Sequence, residues 1–267
     1  MKRSIIFIAL FIISTVLSCI GSHTDKILLV CISTIASGVL GSIISIAFEK
    51  MDFLGHGFKL WFQQIKYKDK DIRLSFSYLY RIQVNGKYLL VKGNRLKNQF
   101  QPVGGVYKYY KEAKPFLEEI NFHPDIKMHN FDEKNDLRIN IKGKYLLSFM
   151  KWFLLMKDRE YDPRREFKEE LIDTGLLPEN KFKQLNYRKV FVHNKGVVFS
   201  NYNNCLEFIY SDIFDLDLTD EQIEAVIKSV EEHPESLCLV TADELKSECY
   251  NGIEKNIGNN AKWLLGE

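Results

Sequence analysis

The distribution of apolar and polar residues divides the chain into an apolar N-terminal end and a mixed remainder. Residues 4–20 and 27–48 contain no charged residue, and each run is about long enough to cross a hydrocarbon core of ~30 Å as a helix. Basic residues flank the outer ends of both runs, at Lys2, Arg3 and Lys50. The pattern predicts a transmembrane hairpin over 1–48, with both chain ends on the cytoplasmic side of an inner membrane.

A second interpretation of the first apolar run stays open. Lys2-Arg3, the apolar residues and the sequence VLSC are also typical of a lipoprotein signal, whose acylated residue would be Cys19. Leu17 stands where such signals prefer a small residue, and a second apolar run follows at once. The hairpin is therefore the preferred prediction.

The remainder of the chain alternates between strand and helix patterns. Residues 49–72 form an amphipathic, aromatic connector, and Asn85-Gly86 between two β-rich runs predicts a hairpin. Residues 187–212 have the pattern of consecutive strands, and 218–233 that of an amphipathic helix capped by Thr219 or Asp220. These elements predict a mixed α/β (α+β) domain over 73–267.

Composition adds a charge asymmetry and a cysteine pattern. Residues 49–115 hold 14 Lys and Arg against 5 Asp and Glu, although the whole chain has a formal net charge of only +2. Such a basic half can form a cleft that attracts phosphate, or it can be one of two complementary surfaces of a domain, and both interpretations stay open. Five cysteines without metal-site spacing predict free thiols in a reducing compartment.

One acidic helix is predicted within residues 163–178, PRREFKEELIDTGLLP. It follows Asp162, a good N-cap, and it ends near a Gly-Leu-Leu-Pro stop. Glu166, Glu169 and Glu170 have the spacing of one helix face, so three like charges share that face. Arginines, a bound cation or open water must compensate them.

The order of these elements resembles the Nudix fold, whose signature is G-x5-E-x7-R-E-U-x-E-E-x-G-U, with U a bulky aliphatic residue. Residues 165–170, REFKEE, match R-E-U-x-E-E with Phe at U, and Gly104-Gly105 after Pro102 match the opening loop. The resemblance implies a Nudix-like α/β/α sandwich with a mixed sheet, and an insertion around 113–160. In active members the helix acids hold Mg²⁺ or Mn²⁺, which suit carboxylate oxygens.

The resemblance also implies roles for individual residues. If the chain is a hydrolase, the catalytic residues would be Arg165, Glu166, Glu169 and Glu170, and the three acids would bind the metal ion together with the Gly105 carbonyl. Two departures weaken that prediction. Lys111 stands where the signature has its first glutamate, with Glu112 one place later and a long segment before Arg165, and 171–174 lengthen the end of the signature. The enzyme question stays open and leans against hydrolysis.

The layout of the whole chain is similar to the membrane-anchored Nudix effectors of bacterial CBASS anti-phage systems, in the SMODS-associated Nudix domain family. This resemblance implies a CD-NTase nucleotide cyclase as functional partner and a cyclic oligonucleotide as the signal. It further implies a homo-oligomer that disrupts a lipid membrane and causes abortive infection. A membrane-tethered, Mg²⁺-dependent hydrolase of nucleoside diphosphate derivatives, and an anchored scaffold without a ligand, are the alternatives.

Residues that would contact the ligand follow from the same resemblance. The ligand is expected between the Gly-Gly loop and the acidic helix, where cations would neutralise its phosphates and tyrosines 107, 109 and 110 would either stack on bases or pack within the sheet. The predicted ligand-binding residues are Gly104, Gly105, Arg81, Lys92, Arg95, Lys108 and Lys111.

Overall fold

A computed structural model describes residues 57–93, 99–125 and 135–266. The chain divides into two units, Met1–Lys59 and Leu60–Glu267, and the architecture given below is that of the second unit. The helices are α1 (described residues 57–66), α2 (Lys114–Glu119), α3 (Leu146–Leu154), α4 (Arg164–Phe167), α5 (Asp220–Glu232) and α6 (Ala242–Ser247). A π-helical turn, Lys168–Ile172, directly follows α4.

The predicted location in the inner membrane requires a correction. No helix in the described part of the chain is both long enough and apolar enough to cross a membrane, and this finding contradicts the two-pass localisation. The predicted spans themselves, 4–20 and 27–48, lie outside the described residues, as does Arg95.

The strands confirm the mixed α/β prediction. They are β1 (Asp71–Arg81), β2 (Gln83–Val84), β3 (Lys87–Lys92), β4 (Phe100–Gln101), β5 (Gly104–Val106), β6 (His123–Pro124), β7 (Arg138–Lys142), β8 (Tyr187–His193), β9 (Val197–Ser200), β10 (Cys205–Leu216), β11 (Leu237–Val240), β12 (Cys249–Tyr250) and β13 (Ile253–Glu254). Among the described residues, the larger sheet has the order β6-β7-β1-β10-β8, with β5 added to β1 and β9 added to β10.

Two long parallel strands, β1 and β10, form the centre of the larger sheet. Their register runs from Ile72 opposite Leu206 to Arg81 opposite Asp215. On the other edge of β1, β7 pairs with its first half and β5 with its second half, both antiparallel. The sheet is therefore mixed, and β5 is hydrogen-bonded directly to the central strand.

Alternation along β1 explains why one face of this sheet carries the main core. Phe76, Tyr78 and Tyr80 are completely buried on that face. The Phe76 ring contacts Phe149 and Phe153 of α3, with ring centroids 5.0 and 4.4 Å away. The apolar helix α3 therefore packs on the centre of the sheet.

A smaller sheet, β11-β3-β2 with β4 added to β3, contains the predicted hairpin. Asn85 and Gly86 both have positive φ, 51° and 76°, as a tight two-residue hairpin turn between β2 and β3 requires. The predicted helix over 218–233 is α5, and Thr219 caps it with a capping box that includes Gln222. Of the cysteines in the described residues, Cys205, Cys238 and Cys249 are free thiols, as predicted.

Candidate functional site

A single arginine joins three segments of the chain at the start of the acidic helix. The Arg165 guanidinium donates to both carboxylate oxygens of Glu160, at 2.8 and 3.1 Å. Its Nη1 donates to Glu166 at 2.6 Å and Glu169 at 3.1 Å, and its Nη2 also donates to the carbonyl oxygen of Val106 at 3.0 Å. All three guanidinium nitrogens are therefore engaged within the domain.

Glu160 is the partner of Arg165 that the sequence analysis missed. Its backbone N–H donates to the Lys108 carbonyl at 2.8 Å, and its side chain accepts from the Lys108 N–H at 3.2 Å. Segment 158–160 therefore lies alongside 108–110 like a short strand, with Tyr109 bridged to Arg159. Glu112 is the glutamate nearest to the position where the signature expects its first glutamate, and it is exposed on the surface.

Arg159 fixes segment 158–160 through contacts with the domain core. Its guanidinium is nearly fully buried and lies 3.7 Å from the centroid of the Phe153 ring and 4.9 Å from that of Tyr107. It donates to the Phe153 carbonyl at 2.8 Å and to the Glu160 carbonyl at 2.5 Å. Because a buried guanidinium is stable only when its donors are satisfied, these contacts fix the path of the chain at Glu160.

The two glycines of the Gly-Gly loop meet the acidic helix. The Gly104 N–H donates to the Glu170 carboxylate at 3.0 Å, and Gly104 has a φ of 149° that side chains rarely adopt. A Cβ atom on Gly105 would lie 2.0 Å from the carboxyl group of Glu166. Loop and helix are in direct contact, and this contact requires glycine at both positions.

The π-helical turn accounts for the lengthened end of the signature. The Asp173 N–H donates to the Lys168 carbonyl at 2.8 Å, five residues back, and Glu169 and Glu170 lie within this turn. Gly175, with a φ of 75°, then ends the helix, and the Leu177 N–H donates to the Leu171 carbonyl at 2.7 Å. The extra residues continue the helical turn before the glycine stop.

The acids of this cluster are partly removed from water. The pKa of the Glu170 carboxyl is raised to about 8, first by burial and then by the nearby charges of Glu166 and Glu169, against the hydrogen bond from the Gly104 N–H. Burial also raises the pKa of Glu166, although Arg165 lowers it. Of these helix acids, Glu166 and Glu169 pair with the Arg165 guanidinium, whereas Glu170 does not.

The fit of a divalent cation can be tested on the same side chains. Their carboxylate oxygens suit Mg²⁺ or Mn²⁺. Within residues 57–93, 99–125 and 135–266, however, no group of three His, Cys, Asp or Glu side chains is arranged to hold a metal ion. Glu166 and Glu169 are instead bound to Arg165, so the acids as placed do not fit a cation.

The remaining predicted ligand residues are dispersed. Arg81 pairs with Asp215 across the central strands, with Nη2 2.8 Å from a carboxylate oxygen, and Lys92 is exposed at the end of β3 in the smaller sheet. Lys108 is half-buried and Lys111 exposed, both on the segment that follows β5. Their contact with a ligand stays a prediction.

The predicted tyrosines divide into two groups. Tyr107 and Tyr109 are buried, and the Tyr107 hydroxyl donates to the carboxylate of Asp212 on β10 at 2.6 Å. Tyr110 is 47% exposed. Of these three side chains, only that of Tyr110 presents an aromatic ring to solvent for stacking.

Comparison with models of protein families identifies a relationship. A model of the SMODS-associated NUDIX domain family matches residues 71–265. This range begins with β1 and includes Gly104, Glu160 and the acidic helix. A search of the curated proteins finds no match.

Replacing Glu160 tests whether it is the partner that fixes Arg165. We expect Glu160→Gln to lower the free energy of unfolding by about 1–3 kcal/mol, because Arg165 loses a two-point charged partner in a largely buried position. Urea denaturation of the full chain measures this change. The matched variant Glu112→Gln removes an exposed glutamate, and we expect it to stay within ~0.5 kcal/mol of the wild type. Equal effects of the two variants would contradict the assignment.

The raised pKa of Glu170 predicts a pH dependence of stability. A carboxyl with a higher pKa in the folded state binds its proton more tightly when folded, so its contribution is full below a pH of about 4.5 and declines as the pH rises to about 8. Glu170→Gln should therefore make the free energy of unfolding fall less steeply across this range. Glu169→Gln, at a half-exposed position of the same turn, should keep most of the decline. Denaturation at a series of pH values compares the slopes.

Proposed function

Since the chain belongs to the SMODS-associated NUDIX domain family, we propose that its Nudix-like domain is the sensor of a defence-related effector. The ligand is a cyclic oligonucleotide made by a linked CD-NTase nucleotide cyclase. Binding acts on the rest of the protein by favouring one assembly state of the chain over another.

One observation carries the choice of a receptor over a hydrolase. Arg165 binds Glu160, Glu166 and Glu169, so two of the three helix acids are committed to an internal ion-pair network. The third, Glu170, is half-buried, and its carboxylate accepts from the Gly104 N–H. An arrangement of this kind supports a fixed scaffold, because a cation would have to displace Arg165 from carboxylates that already hold it at 2.6–3.1 Å.

The negative charge around the acidic helix disfavours phosphate binding there, so the phosphates are expected on a different surface. The carboxylates of Glu160, Glu166 and Glu169 outnumber the single guanidinium, and like charges at close range repel in a partly dehydrated environment. Lys108 and Lys111 lie on the segment that this cluster fixes. Phosphates of the ligand bind these two lysines, and the exposed Tyr110 ring between them stacks on a base.

The acidic cluster contributes by ordering that segment in advance. Val106 is held by Arg165, Lys108 by Glu160, and Tyr110 by the Asp158 carbonyl, to which its N–H donates at 2.8 Å. A binding segment that is already ordered loses less conformational entropy when the ligand arrives. The signature residues thereby support recognition without touching the phosphates.

Binding measurements test the receptor proposal. The full chain is titrated with cyclic dinucleotides and cyclic trinucleotides by isothermal titration calorimetry, and we expect at least one to bind. The double variant Lys108→Ala/Lys111→Ala should weaken that binding by about tenfold or more and reduce its dependence on salt. Lys87→Ala, at an exposed position of β3, is the matched control and should bind like the wild type. Absence of binding by every cyclic di- and trinucleotide would overturn the proposal.

Hydrolysis of nucleoside diphosphate derivatives is the second candidate function. It is favoured by the raised pKa values of Glu166 and Glu170, because a divalent cation would stabilise both carboxylates in the ionised form. Mg²⁺ or Mn²⁺ held by these residues, Glu169 and the Gly105 carbonyl would require Arg165 to release Glu166 and Glu169.

An activity assay separates the two candidates. If the chain is a hydrolase, Mg²⁺-dependent turnover of nucleoside diphosphate derivatives should be lost in Glu169→Gln/Glu170→Gln. It should persist in Glu118→Gln/Glu119→Gln, which changes two exposed acids of α2. Wild-type protein without turnover, together with a Glu169→Gln/Glu170→Gln variant that still binds a cyclic oligonucleotide, would remove this candidate.

A further inference from the structure

A side chain of α1 closes the outer edge of β9. The Gln63 amide accepts from the Val197 N–H at 3.1 Å and donates to the Val197 carbonyl at 3.3 Å. Val197 lies opposite Phe208 of β10 in the antiparallel register. Because a residue in such a ladder directs its N–H and its carbonyl to the same side, both groups of Val197 face away from β10. Gln63 therefore occupies the position of a neighbouring strand.

The chain before Val197 leaves room for this amide. Gly196 has a φ of 78°, which side chains rarely adopt. A Cβ atom at this position would lie 2.7 Å from the Gln63 amide nitrogen. The Asn194 side chain accepts from the Gly196 N–H at 2.7 Å and so orders the bend. The approach of Gln63 to the strand edge thus depends on the glycine in this bend.

Polar contacts contribute much of the attachment of α1 to the domain. The face turned to the domain has four half-buried residues with helical spacing, Leu60, Gln63, Gln64 and Tyr67. Leu60 and Tyr67 pack against the main core. The Gln64 side chain accepts from the Leu147 N–H at 3.0 Å, in the first turn of α3, whose own N-cap residue makes no side-chain hydrogen bond there. Because water can replace hydrogen bonds of this kind, their net stabilisation is modest, and α1 can leave the edge at a small cost.

The same edge continues beyond Gln63 with apolar residues. By strand alternation, Phe199 also directs its N–H and carbonyl away from β10, to a side where no strand of the described residues pairs with β9. Its side chain is 59% exposed, and that of Val198, on the other face of the sheet, is 42% exposed. Open edges with apolar side chains are places where the sheets of two molecules pair, and proteins cover them to prevent it. Gln63 is placed as such a cover.

We propose that the outer edge of β9 pairs with the same edge of a second copy of this chain, and that Gln63 closes this contact. Antiparallel pairing about a two-fold axis at Val198 places Val197 of one copy opposite Phe199 of the other. Both residues direct their backbone groups outward, so each such pair exchanges two hydrogen bonds. The edge is therefore complementary to itself, as a two-fold contact requires. This contact goes beyond the proposed function and does not depend on the ligand.

Cysteine crosslinking of the full chain tests this contact. In the proposed register the two Val198 Cα atoms lie about 4.5 Å apart, within the range that a disulfide spans. Under mild oxidation we expect Gln63→Ala/Val198→Cys to give about tenfold or more crosslinked dimer than Val198→Cys, in which Gln63 still closes the edge. Gln63→Ala/Val192→Cys is the matched control and should show no such increase, because Val192 is exposed on β8, outside the contact.

Two variants guard against a general loosening of α1. Gln63→Glu keeps the size of the side chain and loses only the donor to the Val197 carbonyl. Combined with Val198→Cys, it should give intermediate crosslinking at an unchanged thermal unfolding midpoint. Gln64→Ala removes the contact with α3 and leaves Gln63 at the edge, so with Val198→Cys it should crosslink no more than Val198→Cys alone.

A proline variant distinguishes strand pairing from random collision. Phe199→Pro removes an outward N–H and leaves the hydrogen bonds between β9 and β10 intact. Added to Gln63→Ala/Val198→Cys, it should return crosslinking to the level of Val198→Cys. Crosslinking that survives Phe199→Pro, no increase with Gln63→Ala, or an equal increase with Gln64→Ala would each overturn the proposal and leave the receptor proposal standing.

Discussion

The ion-pair network of Arg165 is the interaction on which the candidate site depends. One guanidinium holds Val106 after the Gly-Gly loop, Glu160 far downstream of that loop, and Glu166 and Glu169 on its own helix. A charge removed from water is stable only with complete pairing, so each partner limits where the others can lie. Segments far apart in sequence are thereby fixed by one side chain.

The residues of this network were predictable in part. The match of REFKEE to the Nudix signature identified Arg165 and the helix acids, and the Gly pair identified the loop that meets them. The signature places its first glutamate at a fixed spacing from the glycine. That spacing could not identify Glu160, because a much longer segment separates it from Gly105 in this chain. Its position five residues before Arg165 was the available signal, but its burial and its pairing with Lys108 are tertiary contacts.

Pairing between distant strands explains the other differences from the sequence analysis. From the sequence, Arg81 was predicted to bind a phosphate. In the structure it pairs with Asp215, because β1 and β10 are parallel neighbours although a long connection separates them in sequence. The parallel register likewise places Ser211 beside Ser77, a contact that the local sequence does not indicate. Which partner a side chain on a sheet face finds therefore depends on the neighbouring strand.

Signature residues in this chain do not by themselves indicate hydrolysis. A long insertion costs little free energy, since the entropy of closing a loop grows slowly with its length. A metal site is less tolerant, because several oxygens must reach one point. Arg165 and its acids form a network in which loss of one member leaves a buried charge unpaired. Such a network stabilises the folded domain with or without a reaction, and this contribution is sufficient to explain why arginine, acids and glycines occur together here.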